Sequence, residues 1–190
     1  MGSGIGRSVR LRCVARTWLS IRVELIEGRG DRLWPRPGRT FAASRSHTFA
    51  ALADAIDTAF ARWDRSHLCL FELSDNSSIC GPIAWEDPPE RSVFAGDVRL
   101  GRLKGGEQLL YTFDMGDDWA HLCTVGEQRI DPLEALGIIP TGPLPYWGWG
   151  EIPDQYGRRT SDDDGETPLA PDPEWRDLPP LRPYWGPRAR

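Results

Sequence analysis

From residue 18 onward, apolar and polar positions alternate. Leu19, Ile21, Val23 and Leu25 are separated by Ser20, Arg22 and Glu24, which is the period of a half-buried strand. Gly28, Gly30 and Asp31 then turn the chain. The next segment, around Leu33–Trp34 and Thr40–Phe41, is interrupted by Pro35 and Pro37 and is expected to be an edge or irregular strand. Between residues 48 and 63 the period becomes helical. Phe49, Leu52, Ile56, Phe60 and Trp63 recur at three- and four-residue steps, with Ser46 or Thr48 available as N-cap. Asp54 and Asp57 fall on the side opposite this stripe, which predicts that both are solvated.

The helix needs a sheet to cover it, and the following sequence supplies one. His67, Cys69, Phe71 and Leu73 share one face of a strand, and a shorter strand is expected within residues 79–85. Residues 98–103 fit no single period. Residues 108–114 and 119–125 read as two strands joined around Met115, Gly116, Asp117 and Asp118. One helix among sequential strands predicts an α+β fold, a mostly antiparallel sheet of about five to six strands packed on one main helix. After Gly126 the pattern weakens. Residues 132–136 suit one helical turn closed by Gly137, and the Pro- and Trp-rich stretch 144–159 is expected to be an irregular C-terminal extension. Pro-Tyr-Trp-Gly occurs at 145–148 and again at 183–186. Residues 1–16 are expected to form a flexible basic arm, 17–159 one domain, and 160–190, with Asp162–Asp164 and seven Pro, an acidic disordered tail.

Charge is divided unevenly along these segments. The chain has 190 residues and a net charge of −5, and its basic residues are 22 Arg and the single Lys104. Residues 1–66 carry twelve Arg against six Asp or Glu, a net of +6, whereas residues 67–190 carry a net of −11. A nucleic acid could therefore be met only through the Arg-rich first third. No apolar run approaches the ~20 residues of a membrane span, so no membrane partner is expected. The first residues lack the apolar region of a signal peptide, and Cys13, Cys69, Cys80 and Cys123 form no Cys-x-x-Cys pair. A cytoplasmic location with reduced thiols is the expectation.

The densest polar cluster runs from Tyr111 to Val125. If the connection is the four residues 115–118, Asp114 pairs with Trp119 and Thr112 with His121, which makes Asp114 and His121 diagonal neighbours on one face. A carboxylate beside an imidazole suits a general base or a metal ligand. Asp117 and Asp118 could add oxygen ligands, and His67 on a neighbouring strand would complete a two-His, one-Asp site with Asp114 and His121. A divalent cation is thus the one cofactor the pattern suggests, and none is required. The same residues are also good turn chemistry, and a structural Asp114–His121 pair is the leading reading. Asp114, Asp117, Asp118, Trp119 and His121 form the candidate functional cluster. Cys123 is read as a small buried hydrophobe. Tyr146, Trp147 and Trp149 form a candidate aromatic surface, for stacking or for packing the extension onto the sheet. No nucleophile elbow, P-loop or His-Glu-x-x-His motif occurs. The expected function is therefore a non-enzymatic binding module for a protein partner, with a metal-dependent hydrolase-like enzyme and a nucleic-acid accessory protein as the alternatives.

These segments also resemble a known family. Leu33, Trp34 and Arg36 follow the first strand; Trp63, Asp64, Ser66, His67 and Leu68 follow the helix. Tyr111, Phe113, Asp114, Met115, Gly116, Asp117, Trp119 and His121 complete the pattern. Together they resemble the plasmid pRi-type ORF-three-like family, whose members are also described as insertion-element passenger, TnpR-like proteins. Phe113 and Met115 replace the family's usual Tyr and Phe, and 131–134 lacks the cysteines usual in the family's next segment. The resemblance spans residues 18–159 and implies an α+β fold with one main helix against a curved antiparallel sheet. It implies no established activity, and nothing in the chain matches a serine-recombinase active site.

Overall fold

A computed structural model describes residues 18–83 and 85–157. The expected basic arm at 1–16 and acidic tail at 160–190 lie outside the described residues. Among the described residues nine strands make one sheet: β1 (Trp18–Gly28), β2 (Asp31–Arg32), β3 (Gly38–Ser44), β4 (Cys69–Leu73), β5 (Ser78–Cys80), β6 (Val93–Phe94), β7 (Gln108–Phe113), β8 (Trp119–Arg129) and β9 (Leu144–Trp149). The helices are α1 (Phe49–Ala59) and the five-residue α2 (Pro132–Leu136), with a short 3-10 turn at Leu100–Arg102. Strand order is β6-β5-β4-β7-β8-β1-β3-β9, with β2 pairing β1 to one side. Every pairing is antiparallel except β5 with β6, which is parallel, so the sheet is mixed.

This corrects the expected fold. Five to six antiparallel strands on one main helix becomes a nine-stranded mixed sheet with two short helices as its minor part. The extension at 144–159 is not wholly irregular, because Leu144–Trp149 adds β9 to the sheet through β3. As a result β3 is an interior strand, not an edge; Pro35 and Pro37 lie just before it and leave its ladder intact. The strand expected within 79–85 is only Ser78–Cys80, and 98–103 contains the 3-10 turn.

The alternation along β1 and β8 has a direct structural consequence. Ile21, Val23 and Leu25 of β1 and His121, Cys123 and Val125 of β8 point to the same face and are at most 1% exposed. Phe41, Phe71 and Tyr111 join them from the other central strands. Arg22, Glu24, Leu122 and Thr124 point to the opposite face. Register shifts between Leu19 and Ile21 and between Leu25 and Glu27 let two 11-residue strands coil around each other.

Over the apolar face lies α1, which buries Phe49, Leu52, Ala53 and Ile56. Phe49 meets the Phe71 ring edge-on at 5.1 Å. Thr48 is the N-cap, its hydroxyl accepting from the Ala51 amide at 3.2 Å. Replacing Thr48 by Ala is expected to cost about 1 kcal/mol, readable as a shift in the urea midpoint at unchanged slope. The helix stops sooner than its apolar stripe, because Ala61 takes a φ of 56°. Trp63 consequently leaves the core: it is 42% exposed and donates from Nε1 to Asp154. The start of α2 is capped by Asp131, and its end is closed by Gly137 in the left-handed region, the closure that the sequence pattern predicts.

Candidate functional site

Tyr111 pairs with His121 and Phe113 with Trp119, so the β7–β8 connection is the five residues 114–118. The expected register, with Asp114 opposite Trp119, is corrected by one position. Asp114 has left the strand with a φ of 59°, and Asp118 at the other end has 49°; aspartate tolerates this region better than most residues. Asp114 Oδ1 accepts from the amides of Gly116 at 3.0 Å and Asp117 at 3.3 Å, which closes the turn. Asp118 is exposed, and Asp117 faces Arg29 at 3.8 Å.

Two separate constellations result where the sequence suggests one. In the first, Asp114 Oδ2 lies 3.2 Å from His67 Nδ1, while His67 Nε2 lies 2.6 Å from the Tyr156 hydroxyl and 3.3 Å from Asp64 Oδ2. Tyr156 also donates to Asp64 Oδ2 at 3.1 Å. The Asp64 carboxyl is held down to about 2 by the hydroxyl and amide of Ser66, with help from Tyr156 and His67. Desolvation and the Asp64 charge push the Tyr156 phenol up to about 12. Asp114 therefore has a histidine partner, and that partner is His67. Both imidazole nitrogens are engaged inside the protein.

The second constellation lies in the core beneath the end of α1. His121 is fully buried, and its Nδ1 donates to the Tyr111 carbonyl at 3.2 Å. Burial, then the charge of Arg62, lowers its pKa to about 3, so the ring is neutral with its proton on Nδ1. Phe60 packs edge-on to it at 4.7 Å. Next to it the Tyr111 hydroxyl donates to Asp57 Oδ1 at 2.8 Å, and Arg65 reaches Asp57 Oδ2 at 3.1 Å. The expectation that Asp57 is solvated is corrected: it is 5% exposed, and burial pushes its carboxyl up to about 7. Arg62 lies over the Trp119 ring at 3.6 Å and is 1% exposed. Cys69, whose thiol burial pushes up to about 12, and Cys123, pushed higher still, are buried as small hydrophobes.

Among the described residues, no three His, Cys, Asp or Glu side chains are arranged to hold a metal ion. His67 and Asp114 meet, but His121 is directed into the core and no contact joins it to Asp114. Sequence reasoning missed Asp57, Arg62, Arg39 and Tyr156. Asp57 and Arg62 flank the helical stripe, where charge reads as solvated, and Tyr156 sits in a stretch without periodicity. The aromatic trio is half-buried on and beside β9. Tyr146 meets Ser20 Oγ at 2.9 Å, and Trp149 donates to the Arg36 carbonyl and carries the Arg22 guanidinium at 4.6 Å. Trp147 pairs with Thr40 of β3.

Comparison with curated protein sequences gives no match. A protein of unknown function from Methanosarcina mazei Go1 has a crystal structure similar to this chain. It shares 19% identity at a TM-score of 0.50, over 70% of this chain and 68% of that one, which is a likeness of fold. No helix of the described residues is long and apolar enough to cross a membrane. Residues 18–138, from β1 to α2 and including every member of the two constellations except Tyr156, match the family model of the plasmid pRiA4b ORF-3-like proteins. The Asp114–Asp118 turn, the histidine on each side of it and the strands that carry them all fall inside that match, and the chain belongs to the plasmid pRiA4b ORF-3-like family.

Proposed function

We propose that this chain is a non-enzymatic binding module that takes a partner polypeptide at the edge of β9. The observation that carries the reading is that β9 ends the sheet on this side among the described residues, with β3 as its only strand neighbour there. An edge strand offers one row of backbone donors and acceptors to an added strand, and half-buried aromatics beside it offer contact area. Tyr146, Trp147 and Trp149 supply those aromatics, and Pro145 fits an edge position.

Two further observations favour binding a protein. His67, Asp64, Asp114 and Asp57 all spend their hydrogen-bonding capacity on one another and on Tyr156, Tyr111 and Arg65, which suits a structural role for these groups. The basic first third also offers little free charge within the described residues. Arg22, Arg29, Arg32 and Arg65 face carboxylates, and Arg39 and Arg62 are buried. That weighs against a phosphate-backbone surface.

The test is site-specific photo-crosslinking in native-host extract, with the reactive group placed at Trp147 and, as control, at the exposed Glu72 of β4. Capture of one defined polypeptide from position 147, absent from position 72 and lost when Tyr146→Ala and Trp149→Ala are added to the position-147 crosslinker, is expected. The same products from both positions, or none from position 147, would remove the reading.

A further inference from the structure

Burying an unpaired charge costs several kcal/mol, and an unmade hydrogen bond on a buried donor adds to that. Arg62 carries both burdens. Its side chain is 1% exposed, and Nε, Nη1 and Nη2 are all without a hydrogen-bond acceptor. Asp57, Asp154 and Asp117 act on it through charge alone, and desolvation lowers its pKa only to about 9, so the guanidinium stays positive at neutral pH. One face is already used: it stacks on Trp119. The edge, with its fork of N–H groups, is the part left unmatched.

The neighbours of Arg62 show the same pattern. Trp119 Nε1 and His121 Nε2 are buried with no partner. Phe60, whose ring touches His121, also has the guanidinium of fully buried Arg39 5.9 Å from its centroid. Arg39 Nη1 holds the carbonyls of Gly38 and Trp149, but Nε and Nη2 hold nothing. Buried side-chain polar groups almost always find partners, so several orphaned donors around one aromatic group form a specific arrangement.

The geometry points to an internal oxyanion site, with the Arg62 guanidinium as principal ligand, Trp119 Nε1 as a second donor, and a phosphate group as its occupant. A guanidinium fork matches two oxygens of such an anion, and the indole N–H can take a third. His121 sets the choice among oxyanions. Its Nδ1 proton is committed to the Tyr111 carbonyl, so Nε2 presents a lone pair and requires a donor on the ligand. Phosphate at neutral pH carries an O–H, whereas sulfate and carboxylates carry none. Arg39, over the Phe60 ring, adds positive field.

The full chain, freed of phosphate by dialysis, is titrated with inorganic phosphate, sulfate or acetate, with sodium chloride holding ionic strength constant. Phosphate at about a hundred times its Kd is expected to raise the thermal midpoint saturably by about 5–10 °C. Sulfate and acetate are expected to raise it far less. Phosphorus NMR of added phosphate reports binding to the folded protein directly and does not depend on any variant. Arg62→Lys keeps a charge but loses the fork, and is expected to weaken phosphate binding at least tenfold. Arg62→Gln is expected to abolish it. If phosphate shifts neither the midpoint nor its own resonance beyond the chloride control, the orphaned atoms are met by internal water and the proposal falls. Equal response to sulfate and phosphate would overturn the role given to His121 and the choice of phosphate. An Arg62→Lys protein that binds phosphate as wild type would overturn the role given to Arg62.

Discussion

Gly28→Ala is expected to destabilise the fold by at least ~3 kcal/mol, and to lower the thermal midpoint by roughly 6–12 °C. Gly28 ends β1, and a Cβ there would stand 2.1 Å from Cε3 and 2.4 Å from Cζ3 of Trp119. The indole has nowhere to go. It is 2% exposed, and the Arg62 guanidinium presses on it from 3.6 Å. Relief would have to come from parting β1 and β8, the two longest strands. Gly38→Ala makes a useful comparison, since its Cβ would meet Trp149 just as closely, at 2.2 Å. Trp149 is half-buried on the edge strand and can swing outward, so a loss of about 1 kcal/mol is expected there. Thermal unfolding of the two variants side by side checks the pair. Equal losses would mean that the confinement of Trp119 does not set the cost.

Asp57→Asn is expected to change the pH dependence of stability more than its value at pH 7. Asp57 has its pKa raised from 3.8 to about 7 in the folded protein, so its contribution is full below pH 4 and is lost as pH rises toward 7. His121 runs the other way. Its pKa falls from 6.5 to about 3, so its contribution is full above pH 6.5 and is lost as pH falls toward 3. Between about pH 4 and 6.5 the folded protein gains a proton on Asp57 and forgoes one on His121 relative to the unfolded chain. The two slopes, each about 1.4 kcal/mol per pH unit, cancel. Wild-type stability is therefore expected to be nearly flat over this window. The amide of the Asp57→Asn variant cannot titrate, so only the His121 slope remains. That variant should lose about 1.4 kcal/mol for each unit of acidification from about pH 6.5 to 4. Urea unfolding at half-unit intervals measures this directly. Parallel curves for the two proteins would show that Asp57 does not titrate in that range.

Some of this architecture is plain in the amino-acid order, and some depends on partners that the order does not reveal. The strands β1, β7 and β8 and the start of α1 are legible because each has one wet and one dry face, which imprints a period of two or 3.6. In β3 both faces are largely covered, with Phe41, Ala42 and Ala43 all at 0% exposure, and the alternation disappears. β9, Leu-Pro-Tyr-Trp-Gly-Trp, has no period and becomes a strand by pairing with β3. The candidate cluster was legible in composition but not in connection. One residue of register, lost because Asp114 sits in the turn, decided which histidine the carboxylate would meet. Arg62 gives no sequence signal, since an arginine just past a helix is ordinarily solvated. Trp119 closes over one face of its guanidinium in the folded chain.

The central pairing of β1 with β8 also bears on how the chain is made. Leu19 pairs with Arg129 and Ile21 with Val125, partners separated by more than a hundred residues of sequence. A ribosome delivering about 5–20 residues per second would hold β1 and β3 in solution for roughly 5–20 s before β8 emerges. During that interval one side of β1 is an open ladder beside the apolar face of the β1–β3 pair, a template for any passing strand. The most exposed moment in the life of this protein therefore comes before it is complete. A nascent chain stopped short of residue 119 would carry that open edge permanently, and belongs with the substrates of chaperones and proteases.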